Sequence, residues 1–363
     1  MAGTNSEGYW HALIATFSVA SAPAKGSLCK IRQKISYEFF KDIFFKLLND
    51  FEECRFTYHG LKIFAVDGLE LHLPRTKDLK KKGYRGRSIM QYMDTYGLRM
   101  YLCHAYDVLS GVTKDLRISP WNDEISHAKN MVKHFGRNSL AIYDRLYISG
   151  KMIVAHHHAK NYFLMRAKRG SFTVVEAFYQ SHSQRPLTTT IRGVPVRLFK
   201  AINLRTGKKD VFLTNLPWRW LNASLIQRLY LRRWEVESSF KDLVDTMKIE
   251  QWHSKSLNGI LQEIFAAFWL MNFTRIQIAK KSKKPKITLC DQYEKPNFKL
   301  IVDWMKTKLK RLLNRSLGVL RELKKLIKLS TEKRVHYSRS YPRQLKCATS
   351  PYPYNNTIFI WEH

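Results

Sequence analysis

Three acids far apart in a 363-residue chain stand where a carboxylate can do chemistry. Asp67 follows the apolar run Leu61–Val66, and Asp144 follows the apolar run Leu140–Tyr143. Glu237 lies in Asn222–Trp252, where apolar residues recur at helical spacing and predict one long amphipathic helix. With Tyr230 set to zero, Arg233 falls at about 300°, Glu237 at about 340°, Lys241 at about 20° and Lys248 near zero. One face thus carries a phenol, a guanidinium, a carboxylate and two ammonium groups. By itself that helix reads as a solvated, salt-bridged surface. Two strand-end aspartates and a helical glutamate together allow more. Carboxylate oxygens suit Mg²⁺ and Mn²⁺, and two such ions about 4 Å apart serve phosphodiester transfer by activating one oxygen and stabilising the other. Without metal, clustered carboxylates repel and at least one pKa must rise.

The elements that would position these acids follow from local pattern. Ile35–Phe51 predicts a packing helix with Ser36 as its N-cap. Asp67-Gly68, between the apolar run before it and the alternating Leu69–Pro74 after it, is a hairpin signal. Lys77–Arg87 predicts an exposed basic loop, and Gly97–Ile118 two strands joined around Ser110-Gly111. Asn122–Phe135 predicts a helix with Gly136 just past its end, and Ile148–His158 a second. His156, His157 and His158 are adjacent and point three ways on a helix, which suits a basic surface patch better than a metal site. Tyr162–Met165 predicts a strand, and residues 170–213 a β-rich insertion of short alternating runs. Leu257–Ala279 predicts a core helix, Lys280–Lys286 a charged linker, and Leu300–Leu329 a basic amphipathic helix. Arg and Tyr interleave in Arg334–Arg343, which suits phosphate contact and base stacking as well as a solvated tail.

Composition narrows the partner. Against 29 Asp+Glu stand 63 Lys+Arg, a net charge of +34. Such a surface attracts a polyanion, of which nucleic acid is the commonest large one. At 45% hydrophobic and 13% aromatic residues the chain is globular. Five scattered cysteines, none in CxxC spacing, exclude a disulfide framework and a cysteine zinc site. They suit a reducing cytoplasm. No run approaches the roughly 20 apolar residues of a membrane span.

The motifs IFAVDG (Ile63–Gly68), LAIYDR followed by Tyr147, LTNLP (Leu213–Pro217) and LYLRRWEVE (Leu229–Glu237) resemble DDE transposases of the insertion sequence 4 family. That family carries Tyr-x₂-Arg-x₃-Glu-x₆-Lys around its catalytic Glu. Tyr230, Arg233 and Glu237 match in type and spacing. The resemblance implies an α/β fold: an RNase H-like core, a mixed sheet flanked by helices, interrupted by the β-rich insertion at about 170–213. Together with the helical, basic patterns at either end, this divides the chain into a helical N-terminal region over 1–60 that could contact DNA, a catalytic domain over 61–280 and a basic helical C-terminal region and tail over 281–363. The resemblance further implies a triad of Asp67, Asp144 and Glu237 binding two Mg²⁺ ions, with Mn²⁺ able to substitute. Tyr230 and Arg233 would contact DNA near the cleaved end. The implied activity is DNA nicking and strand transfer at terminal inverted repeats of double-stranded DNA, by a homodimer in a synaptic complex. A cytoplasmic, nucleoid-associated location is implied with it. Trp218 or Trp220 would be the aromatic that holds a flipped base.

The pattern is broken twice. Val244 stands where the signature has Lys, leaving Lys241 and Lys248, a turn to either side, to reach the DNA backbone. Leu146 stands where the family prefers Gly, and a left-handed backbone there would cost leucine about 1–2 kcal/mol. These departures define the alternative, a catalytically decayed, transposase-derived DNA-binding protein.

Overall fold

The Asp-Gly pair at 67–68 does not turn. In the computed structural model, which describes residues 25–86, 97–202, 209–220, 223–281, 292–314 and 316–335, strand β1 (Lys62–Leu73) runs straight through it. Antiparallel to β1 lies β2 (Leu98–Asp107), with Asp67 opposite His104 and Gly68 opposite Cys103. β3 (Thr113–Ser119) pairs antiparallel with β2 across the turn at Ser110-Gly111, where Gly111 takes φ +75°. The hairpin expected at Asp67-Gly68 therefore does not form, whereas the one expected around Ser110-Gly111 does. Gly68 serves a close approach from the neighbouring layer instead.

The chain then crosses over through α4 (Glu124–Met131) and returns as β4 (Ser139–Tyr143), parallel to β1. A second crossover through α5 (Gly150–His158) brings β5 (Tyr162–Arg166) parallel to β4. Beyond β5 the helix α6 (Thr173–Gln180) precedes three antiparallel strands, β6 (Leu187–Ile191), β7 (Val194–Ile202) and β8 (Lys209–Thr214). β8 joins β5, so the eight strands form one mixed sheet in the order β3-β2-β1-β4-β5-β8-β7-β6. The segment expected to be β-rich thus opens with a helix and continues the sheet.

Three apolar clusters divide the faces. Phe64 and Val66 of β1 pack with α4, α5 and α6 on one side. Ile63 and Ala65 point the other way, into α7 (Ala223–Leu231) and α8 (Trp234–Lys241). Further along that side, Leu71 and Leu73 meet α2 (Tyr37–Phe51) and the 25-residue α9 (Leu257–Lys281). Ser36 caps α2 as expected, its hydroxyl accepting from the Glu38 N–H. The α2 helix follows α1 (Lys25–Lys34).

Several elements differ from their pattern. Lys77–Lys81 forms a short helix, α3, because Thr76 caps it. His156 is fully buried, its Nδ1–H donating to Asn161 Oδ1 at 2.6 Å and its Nε2 accepting from the Tyr143 hydroxyl at 2.9 Å, so the three histidines are not one surface patch. Leu300–Leu329 is two helices, α10 (Phe298–Leu313) and α11 (Leu317–Leu329), broken at residues 314–316. Ile301, Met305, Val319, Leu323 and Ile327 bury between them. A two-strand ribbon, β9 (Gln292–Pro296) with β10 (Thr331–Val335), closes that unit. The interleaved stretch from residue 336 onward and the linker over 282–291 lie outside the described residues.

Candidate acidic site at the carboxyl ends of two parallel strands

β1 and β4 stop pairing at Ala65 opposite Ile142, so the sheet opens where Asp67 and Asp144 follow. A crevice beyond the carboxyl ends of parallel strands is where open α/β sheets bind ligands. Asp67 shares the side of Ile63 and Ala65 by strand alternation, which aims it at α7 and α8. Its Oδ1 accepts from the Gly68 N–H at 3.0 Å. Asp144 caps the 3₁₀ turn Arg145–Tyr147, with Oδ1 accepting from the Arg145 N–H at 2.7 Å. Leu146 sits in that turn 63% exposed and does not take the left-handed backbone, so the expected leucine strain does not arise.

Glu237 arrives from α8. The long helix read in the sequence is interrupted twice. At Arg232–Arg233 the turns tighten to i→i+3 bonds, Arg233 N–H to Tyr230 O at 3.0 Å and Val236 N–H to Arg233 O at 3.1 Å. At Asp242–Thr246 a π-turn follows, with the Met247 N–H bonding Asp242 O at 2.9 Å. Arg275 of α9 holds this join, donating to Ser239 Oγ at 3.0 Å and Asp242 Oδ2 at 2.7 Å. The wide turn shifts every later residue around the axis. Val244 packs against the core, and Lys248 stands exposed in a left-handed conformation at φ +56°. Lys241 stays exposed one turn beyond Glu237, so of the two lysines only Lys241 keeps the face expected of it.

The first half of that face does converge on the aspartates. Arg233 is 5% exposed and bridges two acids, Nη1 to Asp67 Oδ2 at 3.0 Å and Nη2 to Glu237 Oε1 at 3.3 Å. Its guanidinium lies over the Trp234 ring at 4.6 Å. The Tyr230 hydroxyl donates to Asp144 Oδ1 at 3.4 Å, a long bond. Residues 67, 144, 230, 233 and 237 thus form one charged cluster. Burial, partly offset by the Arg233 charge and reinforced by Glu237 and Asp144, pushes the Asp67 carboxyl up to about 6. Burial likewise raises the Tyr230 phenol and keeps it protonated.

A further acid stands beside the cluster. Glu124, at the start of α4, has its carboxylate packed over Gly68 and accepts from the Tyr147 hydroxyl. Burial first, then the charge of Asp67, pushes Glu124 up to about 7. Neither periodicity nor a motif marks it in the sequence. The available hint was an acid heading the helix between the two aspartate strands, in a chain where basic residues outnumber acids two to one.

Among the described residues no three acids, histidines or cysteines stand ready to hold a metal. The donor chemistry nevertheless fits a hard divalent cation: several carboxylates at one crevice, two of them now neutralised by a guanidinium. Trp218 is 51% exposed, with Arg197 at 5.3 Å from its ring centroid and Phe199 edge-on. The side chain of Trp220 lies outside the described residues.

A mixed α/β sheet with carboxylates at its open crevice is an architecture for binding cations and phosphate. The family described as Transposase DDE domain matches residues 58–273, more than half of the sequence, and the chain belongs to that family. A comparison with curated proteins finds no match. Among solved structures, a piggyBac transposase synaptic complex with hairpin DNA is similar at 13% identity and TM-score 0.42, covering 73% of this chain. The chain spans 57% of that one's length.

Proposed function

We propose that the chain is the DNA transposase of an insertion sequence, of the insertion sequence 4 type, with an RNase H-like core formed by β1–β5 and extended by β6–β8. Asp67, Asp144 and Glu237 would hold two Mg²⁺ ions, or Mn²⁺ in their place. The observation that carries this reading is Arg233 bridging Asp67 and Glu237, with Tyr230 on Asp144. Acids 170 residues apart in sequence meet there (Asp67 to Glu237), on elements inside the matched family region.

Bound cations would activate the attacking oxygen and stabilise the leaving oxygen of a phosphodiester. The protein's own groups set the conditions. Asp67 and Asp144 are fixed by backbone N–H groups from the next residue, which limits where their other oxygens point, that of Asp67 towards Arg233. Arg233 supplies the positive charge that the half-buried acids need without metal, and its planar fork suits a phosphate once cations take over that role. Tyr230, kept protonated, offers a hydroxyl donor at the same place. Lys241 and Lys248, exposed, offer point charges to the DNA backbone, and Trp218 offers an exposed ring for a base. Substrates would be double-stranded terminal inverted repeats and target DNA. The working form would be a homodimer in a synaptic complex at the nucleoid, and the domain boundaries would fall near residues 60 and 280.

The second reading, a catalytically decayed, transposase-derived DNA-binding protein, rests on Val244 in place of the signature Lys. Leu146 adds nothing to that reading, since it does not take a left-handed backbone, and Val244 packs against the core. The test is Mg²⁺-dependent nicking of a duplex carrying the short inverted repeats that flank the coding sequence. Glu237→Gln should lower nicking roughly a thousandfold, since lost cation stabilisation is worth several kcal/mol at tenfold per 1.4. Binding of the same duplex should persist. Parallel loss of binding and nicking would refute the role of Glu237.

A further inference from the structure

We infer that Glu124 is a fourth carboxylate of the cation site formed by Asp67 and Asp144. The inference deepens the proposed function and rests on that reading. Three features converge on it. β4 ends at Tyr143, so nothing pairs with β1 beside Gly68 on that side, and a side chain from α4 can reach the crevice there. Gly68 is the residue that makes room. It lies in extended strand pairing, not a turn, and a Cβ placed on it would lie 2.5 Å from Glu124 Cδ and 2.7 Å from Oε2. Glu124 is also tied to the other aspartate, because Tyr147, which donates to its Oε1, closes the turn that Asp144 caps.

The carboxylate is therefore indexed to the residue after Asp67 and to the turn after Asp144. A cavity of about 150 Å³ adjoins it, lined by Gly68, Glu70, Cys103, Asn122, Glu124 and His127. That space lies on the Glu124 side of β1, and Asp67, Asp144 and Glu237 do not line it. A glutamate there gains the Tyr147 hydrogen bond, but it stands next to two other acids in a partly buried place, where like charges disfavour one another. A divalent cation reverses that balance.

The test is calorimetric titration of the metal-free full chain with Mn²⁺. Glu124→Gln keeps an oxygen to accept from Tyr147 but removes the charge. Gly68→Ala keeps the charge but displaces the carboxylate, at little cost because the group it meets is the far end of a flexible side chain. Both variants should bind Mn²⁺ roughly 10-fold or more weakly, within the 10–100-fold range for groups that support a metal site. Their urea midpoints in chelator should match or exceed the wild type. Wild-type Mn²⁺ affinity in both variants, with affinity lost in Asp67→Asn, would overturn the role of Glu124 and leave the aspartate site standing. Unchanged affinity in Asp67→Asn would instead remove the site itself.

Discussion

Asp67 carries the clearest residue-scale consequence. Its carboxyl is raised to about 6 in the folded chain from 3.8, so between those values the native state holds more protons than the unfolded state. Stability contributed by this group is then lost as pH rises through that window. Two buried imidazoles, His104 and His156, are pushed by burial down to about 3 and act in the opposite direction, stabilising as pH rises. The measurement must therefore be a difference. In chelator, Asp67→Asn should gain stability relative to wild type as pH increases from about 4 to about 6 in urea unfolding. A gain that stays constant across that range would show that Asp67 titrates normally. Saturating Mg²⁺ should abolish the gain, because a bound cation favours the ionised form.

At the scale of elements, Arg275 deserves the next variant. It ties α9 to Ser239 and Asp242, and so sets where α8 presents Glu237. Its side chain is 7% exposed. Removing one partner of a buried ion pair costs about 3–5 kcal/mol, and the partial exposure of Asp242 places Arg275→Ala near about 3 in thermal or urea unfolding. Loss below 1 kcal/mol would mean that packing alone holds the join. The same elements show what the sequence could reveal. The strand leading to Asp67, the strand end at Asp144, a helix at Glu237 and the core helix α9 were legible, because apolar period and caps are local signals. The π-turn at Asp242–Thr246 was not, since it depends on a guanidinium 33 residues away (Arg275 to Asp242). The Asp67-Gly68 turn was misread for a related reason: the glycine answers to Glu124, 56 residues on (Gly68 to Glu124), and not to its own backbone. Glu124 itself had no pattern to betray it. The break between α10 and α11 escaped because both halves share one apolar stripe.

For the whole molecule, the proposed DNA binding by a chain of net charge +34 should be dominated by counter-ion release. A protein making 6–10 phosphate contacts loses roughly 10³–10⁵-fold in affinity between 50 and 200 mM salt. Fluorescence anisotropy with a labelled duplex should show a loss in that range, and Lys241→Ala should reduce the salt slope by about one contact. A loss below tenfold would mean the basic residues are not deployed on one face. Among the described residues no helix is long and apolar enough to cross a membrane.

The central claim is that the acids of this cluster hold divalent cations, and Asp144→Cys tests it most directly. A thiolate is a poor ligand for Mg²⁺ and a better one for softer ions. The variant should fail to nick the inverted-repeat duplex in Mg²⁺ and recover part of its activity in Mn²⁺, with wild type active in both. Wild-type nicking by Asp144→Cys in Mg²⁺ alone would contradict the claim.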